Sequence, residues 1–173
     1  IGVLIKNAEA LERFAKIDVL IVDKTGTLTE GKPNLAGVIA QPDFQEEEVL
    51  SVAAALEKGS EHPLADAIVS AAQERGLSLD KAQEFEAVTG QGVTGKVGGK
   101  SVALGNSKLL QTLNIDHSAV DKIANDRRDM GETVMHVVID GKIAGLISVA
   151  DPIKQTTSDA LAALKKQGFK IVM

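Results

Sequence analysis

The chain has no cysteine, no tryptophan and no tyrosine among its 173 residues. Without thiols it can form neither a disulfide frame nor a thiolate metal site, and three scattered histidines do not suggest a zinc site. Phe is the only aromatic type, present four times, so any base recognition would rest on Phe or on aliphatic walls. No stretch approaches the roughly 20 apolar residues that a bilayer-spanning helix needs, and no signal peptide is visible. Acidic residues outnumber basic ones, 24 to 19, for a net charge of −5. No basic stripe is available to displace counterions, which disfavours nonspecific nucleic-acid binding. A nucleotide site would have to be local and built from a few placed donors. The chain also lacks an initiator Met and ends within the apolar run Ile171-Val172-Met173, as expected of an excised fragment.

The strongest positive signal is Asp23-Lys24-Thr25-Gly26-Thr27-Leu28-Thr29, which follows the apolar run Val19-Leu20-Ile21-Val22. Four branched residues in succession predict a strand buried on both faces, as in a parallel sheet covered by helices. Asp23 then stands at the strand's carboxyl end, the edge where open parallel sheets bind ligands. The glycine and threonines behind it can bend the backbone and aim donors at an anion. A carboxylate in that position either caps a turn or acts as a nucleophile that takes a phosphoryl group.

The whole heptapeptide closely resembles the phosphorylation motif of P-type ATPases, within the haloacid dehalogenase-like superfamily. The resemblance implies that Asp23 accepts the γ-phosphoryl group of ATP, with Lys24, Thr25 and Thr27 completing the catalytic loop. It also implies that Mg2+ is held by the Asp23 carboxylate and the Thr25 backbone carbonyl. Phosphatases of the superfamily usually carry a second aspartate at the Thr25 position as general acid and base. Threonine cannot do that work, so Thr25 favours a lasting aspartyl phosphate, and hence a pump, over a phosphatase, which remains the alternative enzyme class.

Along the chain, Ala8, Leu11 and Ala15 are spaced for a short helix within residues 1–16, and Gly31-Lys32-Pro33 breaks the pattern at an expected domain boundary. From Phe44 a helix places Val49, Ala53 and Leu56 on one face, with Glu46, Glu47 and Glu48 in its first turn and Lys58-Gly59 as its stop. Pro63 opens a second helix with Leu64, Ala67, Ile68, Ala71 and Ala72 inward, making a helical hairpin jointed at 59–63. The period then changes: Phe85 to Val88 reads as a strand, and Val93–Val97 pairs with Lys100–Leu104 across Gly98-Gly99. A helix over 118–129 turns Val120, Ile123 and Ala124 inward, and a second hairpin joins 133–139 to 142–149 about Asp140-Gly141. After Asp151-Pro152, Thr156 or Thr157 can cap a helix carrying Ala160, Leu161 and Leu164, followed by a buried strand from Phe169.

Gly90-Gln91-Gly92-Val93-Thr94-Gly95 fits Gly-x-Gly-x-x-Gly, but a hairpin follows where a dinucleotide fingerprint needs a helix. A P-loop about Gly99-Lys100-Ser101 fails for the same reason. The glycines offer close approach of a ligand to backbone. Ser60-Glu61-His62-Pro63-Leu64 closely resembles the His-Pro motif of heavy-metal-transporting P-type ATPases, and Gly90-Gln91-Gly92-Val93 matches their glycine motif. That resemblance implies a nucleotide site in which Glu57 contacts the adenine amine and His62 orients the adenine. Gly90, Gly92 and Val93 flank the nucleotide, and Gly105 and Asn106 lie near the ribose and phosphates. Asp151 sits at the family's hinge motif. The Thr-Gly-Asp motif, catalytic Lys and Gly-Asp-Gly-x-Asn-Asp loop that the family carries further on are not in the sequence, so the fragment is expected to bind ATP without full turnover.

The expected fold class is α/β plus α+β. A partial haloacid dehalogenase-like parallel-sheet domain, residues 1–33 and 150–173, is interrupted by an antiparallel-sheet nucleotide-binding domain with helical hairpins, residues 34–149. The resemblance implies a cytoplasmic portion of an integral plasma (inner) membrane pump, with ATP and Mg2+ as cofactors. Copper(I) or silver is the first choice of cargo, and zinc, cadmium or lead the alternative. Its implied partners are the membrane and actuator domains of the same polypeptide and a metallochaperone or metal-binding domain.

Overall fold

A computed structural model describes residues 7–60 and 62–173, apart from the side chains of Ala10, Leu11 and Phe14. The start of the expected N-terminal helix, the side chain of Leu11, and Glu61 of the His-Pro motif lie outside the described residues. The chain divides into two compact units: one runs up to Lys32 and resumes over Pro152–Met173, and the other is Pro33–Asp151.

The larger unit is a six-stranded antiparallel sheet. Its strands are β2 (Asn34–Ala40), β3 (Gln83–Val88), β4 (Gly92–Val97), β5 (Lys100–Gly105), β6 (Thr133–Ile139) and β7 (Lys142–Ala150), in the order β2-β7-β6-β5-β4-β3. Helices α2 (Glu46–Glu57) and α3 (Pro63–Glu74) form the expected hairpin, with Pro63 as first helical residue and His62 as N-cap. They bury Val49, Leu50, Leu56 and Ile68 against Val93, Leu104, Val137 and Ile147. Alternation along β6 sends Val134 and Val138 to the other face, where α4 (Ser107–Thr112) and α5 (Ser118–Asp129) cover them with Leu109, Leu110, Val120 and Ala124. The unit is thus a sheet between two helical layers. The hairpin about Gly98-Gly99 pairs Val97 with Lys100 and Val93 with Leu104, as its sequence predicts.

In the smaller unit α1 (Ala8–Phe14) precedes β1 (Val19–Ile21), which pairs in parallel with β8 (Lys170–Val172) beside α6 (Thr157–Lys166). The parallel pairing, and the insertion of the larger unit between the two sequence segments of the smaller, agree with the expected fold class.

Several local expectations are corrected. Neither strand is buried on both faces: Val19 is 47% and Ile21 80% exposed, and β8 alternates in the same way. Among the described residues this sheet has two strands only, and β-branched side chains favour extended backbone whether or not they are covered. Ile123 is exposed because it lies about 60° around the helix from Val120, at the rim of the apolar stripe. Thr156 is the N-cap of α6 but its side chain makes no capping bond, and Ala160 is exposed. Strand β2 and helix α4 were not anticipated. Gly37 interrupts the alternation of β2, and α4 has only six residues.

Candidate functional site

The predicted phosphoryl acceptor lies where the smaller unit's parallel strands end. The Val22 N–H still donates to the Val172 carbonyl at 2.9 Å, so strand pairing persists to the residue before Asp23. Asp23 is exposed and extended, at φ −71° and ψ 144°, and its side chain makes no capping bond to the loop. The following residues turn tightly. Gly26 takes φ +74°, which a side chain would strain, and the Thr29 N–H closes the loop on the Lys24 carbonyl at 3.1 Å. The buried Thr29 hydroxyl braces the turn from inside: it donates to the Lys24 carbonyl and accepts from the Gly26 N–H, both at 3.1 Å. Lys24, Thr25 and Thr27 all lie exposed on this loop.

The segment after Asp151-Pro152 carries further supports that sequence reading missed. Lys154 donates its Nζ to the Gly26 carbonyl at 2.8 Å, and the Thr157 hydroxyl donates to the Leu28 carbonyl at 2.7 Å. The backbone agrees, with the Lys154 N–H on the same Leu28 carbonyl and the Glu30 N–H on Pro152. A carboxylate held out beside backbone carbonyls is an all-oxygen donor set of the kind Mg2+ prefers, and the exposure of Asp23 leaves room for the waters that Mg2+ retains.

The second place is a cavity of about 440 Å³ in the larger unit, at the sheet end where β3 stops, β4 begins, β5 stops and β6 begins. Its lining brings together Glu57, His62, Gly90, Gly92, Val93, Gly105 and Asn106, every residue that the sequence assigned to a nucleotide. Leu64, Val88 and Met135 add the aliphatic wall that a chain poor in aromatics must use. This size and mixture suit a small-molecule site.

Each side chain is held by local chemistry. His62 accepts the Leu64 N–H on Nδ1 at 3.1 Å as the N-cap of α3, so a neutral ring carries its proton on Nε2. Ser60 accepts the His62 N–H at 3.3 Å and sets the joint. Glu57, at the end of α2, is 6% exposed, and its Oε2 has no hydrogen-bond partner among the described residues. Burial pushes its carboxyl above the usual range, opposed by a hydrogen bond from Ser60 and by His62. An orphaned acceptor beside an apolar wall fits the exocyclic amine of adenine.

The glycines and Asn106 also have structural roles. A Cβ on Gly92 would stand 2.2 Å from the Leu104 carbonyl oxygen, and one on Gly105 would stand 2.3 Å from the Gln91 carbonyl oxygen. These glycines let β4 and β5 close upon each other where they pair. Asn106 caps α4, accepting the Lys108 and Leu109 N–H groups, while its Nδ2 donates to the Gly90 carbonyl at 2.9 Å. Its amide braces the glycine loop from behind.

Comparison with known proteins agrees with this architecture. The family model described as "haloacid dehalogenase-like hydrolase" matches residues 17–173. A copper-transporting P-type ATPase of Rhizobium leguminosarum bv. viciae is 57% identical over 99% of this chain, which covers 20% of that protein. A silver-exporting P-type ATPase of Salmonella typhimurium is 49% identical over 99% of this chain and 21% of its own length. Among solved structures, a zinc-transporting PIB-type ATPase in its E2.Pi state superposes with a TM-score of 0.82 at 33% identity, over 98% of this chain and 27% of that one. The chain therefore spans about a fifth of the length of the curated relatives it matches.

Proposed function

We propose that this chain, which belongs to the haloacid dehalogenase-like hydrolase family, is the ATP-binding and phosphorylation-site portion of a copper(I)-exporting P-type ATPase. In this reading residues 34–149 are the nucleotide-binding domain, and residues 1–33 with 150–173 belong to the phosphorylation domain of a cytoplasmic catalytic portion. The observation that carries it is the cavity: residues as distant in sequence as Glu57, His62, Gly90 and Asn106 line one hollow whose single buried charge has an unused acceptor. Copper is favoured over zinc because the curated relatives named above carry copper and silver at higher identity than the zinc transporter's 33%.

Glu57 accepts the adenine amine and excludes a base with a carbonyl in its place. His62, fixed through Nδ1, directs its Nε2 side to the base, and the backbone at Gly90–Val93 lies against the ribose and phosphates. In the intact pump Asp23 attacks the γ-phosphorus in line; the bond to the β-phosphate oxygen breaks, ADP leaves, and an aspartyl phosphate remains. Bound at Asp23 and the Thr25 carbonyl, Mg2+ would supply charge neutralisation for the transfer. Thr25 offers no general base against the acyl phosphate, so the intermediate lasts long enough to act on the rest of a pump. Membrane and actuator domains of the same polypeptide are the partners this requires, and a metallochaperone or metal-binding domain would supply the cargo.

The test is calorimetric titration with ATP. The protein binds ATP saturably, and His62→Ala weakens binding at least roughly tenfold with an unchanged circular dichroism spectrum, as expected when a positioning side chain is lost. Equal affinity in the folded variant removes His62 from the site and the cavity from this function.

A further inference from the structure

On the sheet face away from α2 and α3, His117, Asp121 and His136 converge, each offering a ligand atom within 4.8 Å of the others. His117 is the N-cap residue of α5 and Asp121 follows one turn later, so the two share a helix face, with Nδ1 and Oδ1 2.5 Å apart. His136 rises from β6 on the side of Val134 and Val138 and is fully buried. Its Nδ1 lies 3.3 Å from the Gly105 carbonyl oxygen, which can only accept, so Nδ1 carries the proton and Nε2 presents a lone pair. That Nε2 is buried without a hydrogen-bond partner among the described residues. An unpaired buried acceptor costs about 1–3 kcal/mol, and folded proteins keep few of them without an occupant.

We propose that His117, Asp121 and His136 form a binding site for a divalent transition-metal ion of the Zn2+ class. Two imidazoles and a carboxylate are the donors such an ion takes, and three protein ligands leave its fourth position to water. The Gly105 carbonyl is the outer partner that fixes the His136 tautomer and ring orientation for ligation. Ligand atoms of a tetrahedral zinc stand about 3.3 Å apart, so a pair at the 4.8 Å limit closes by about 1.5 Å and the 2.5 Å Nδ1–Oδ1 pair opens by about 0.8 Å. The His117 and Asp121 side chains, 20% and 43% exposed, supply that movement while His136 stays fixed, and their exposure gives the ion a route from solvent. Gly105 also lines the nucleotide cavity, which places the metal site directly behind the strand that walls it.

The untagged protein is titrated with Zn2+ by calorimetry and with Co2+ by visible absorption, in the absence of nucleotide. The expected result is one ion per chain and the intense visible bands of a low-symmetry Co2+ site. His117→Gln and Asp121→Asn each weaken Zn2+ binding roughly tenfold or more, and His62→Ala leaves it unchanged. Addition of Zn2+ to the unaltered protein shifts the Nε2 resonance of His136, a readout that needs no variant to fold. No saturable binding at micromolar Zn2+, an unmoved His136 resonance, or equal affinity in both ligand variants overturns the site.

Discussion

Replacing Glu57 by glutamine removes the buried carboxyl that lines the proposed nucleotide cavity, and stability and binding should respond in opposite directions. Burial raises the Glu57 carboxyl pKa, and the Ser60 hydrogen bond and His62 offset only part of that rise. An acid whose folded pKa is raised loses its proton more readily in the unfolded chain. Glu57 therefore lowers folding stability as pH climbs from about 4.5 to its raised value, and by a constant amount above that. Glu57→Gln should melt higher than the parent protein at neutral pH, with the gain vanishing below about pH 4.5. ATP binding should weaken all the same. A hydrogen bond to an ionised acceptor contributes roughly 1.5–3 kcal/mol, so its loss means about a 10- to 100-fold weaker Kd. GTP presents a carbonyl where adenine presents its amine, so the ratio of ATP to GTP affinity should fall in the variant. Calorimetry with both nucleotides at pH 7, beside melts across pH, reads every arm. A variant that melts higher yet binds ATP as tightly as before, or keeps the same nucleotide ratio, refutes the placing of Glu57 at the base.

Gly92→Ala puts a Cβ 2.2 Å from the Leu104 oxygen at φ +150°, and denaturant unfolding should show a loss of at least about 3 kcal/mol. A loss below about 1 kcal/mol would mean that β4 and β5 part easily. Asn106→Ala removes the α4 cap and the brace on Gly90 together, for about 1–2 kcal/mol of stability. It should weaken ATP binding severalfold with the ATP to GTP ratio intact, since its amide is spent on backbone; a changed ratio would give it direct contact with the base. Among the described residues, Thr29 and Thr157 are the buried side chains of the smaller unit, whereas the larger unit buries Leu50, Leu56, Ile68 and Ile147 completely. Hydrogen exchange should therefore be protected in β4–β7 and α2 well before β1 and β8, and equal protection would contradict this division.

Much of this was legible because local rules and tertiary packing agreed. Pro63 after a helix stop, the Gly98-Gly99 turn and the alternation about Asp140-Gly141 each specify their element without help from the rest of the chain. The heptapeptide after Val22 and the residues of the cavity wall were legible as motifs. Burial of β1 was misread because an apolar run reports what a strand can pack against and carries no record of whether a layer is there. Lys154 and Thr157 were invisible as loop supports, since their bonds to Gly26 and Leu28 span more than a hundred residues. The grouping of His117 with His136 was hidden for a related reason: one sits at a helix start and the other within a strand, and only the sheet brings them together.

On the proposed function, the supports of the Asp23 loop also bear on why a threonine-rich turn would suit a phosphoryl acceptor. An in-line attack needs a carboxylate that is fixed in position but free to be approached, and fixing it through its own oxygens would cost it as a nucleophile. The described bonds avoid this. Thr29, Lys154 and Thr157 fasten the carbonyls of Lys24, Gly26 and Leu28, and none of these bonds uses the Asp23 carboxylate or the Thr25 carbonyl. The loop is held through its backbone from positions beyond the nucleophile. A second aspartate at position 25 would bring a general base and a like charge to the same turn, and the aspartyl phosphate would hydrolyse sooner. On the proposed function, position 25 would set the lifetime of the intermediate, and the threonine and lysine anchors would set its place.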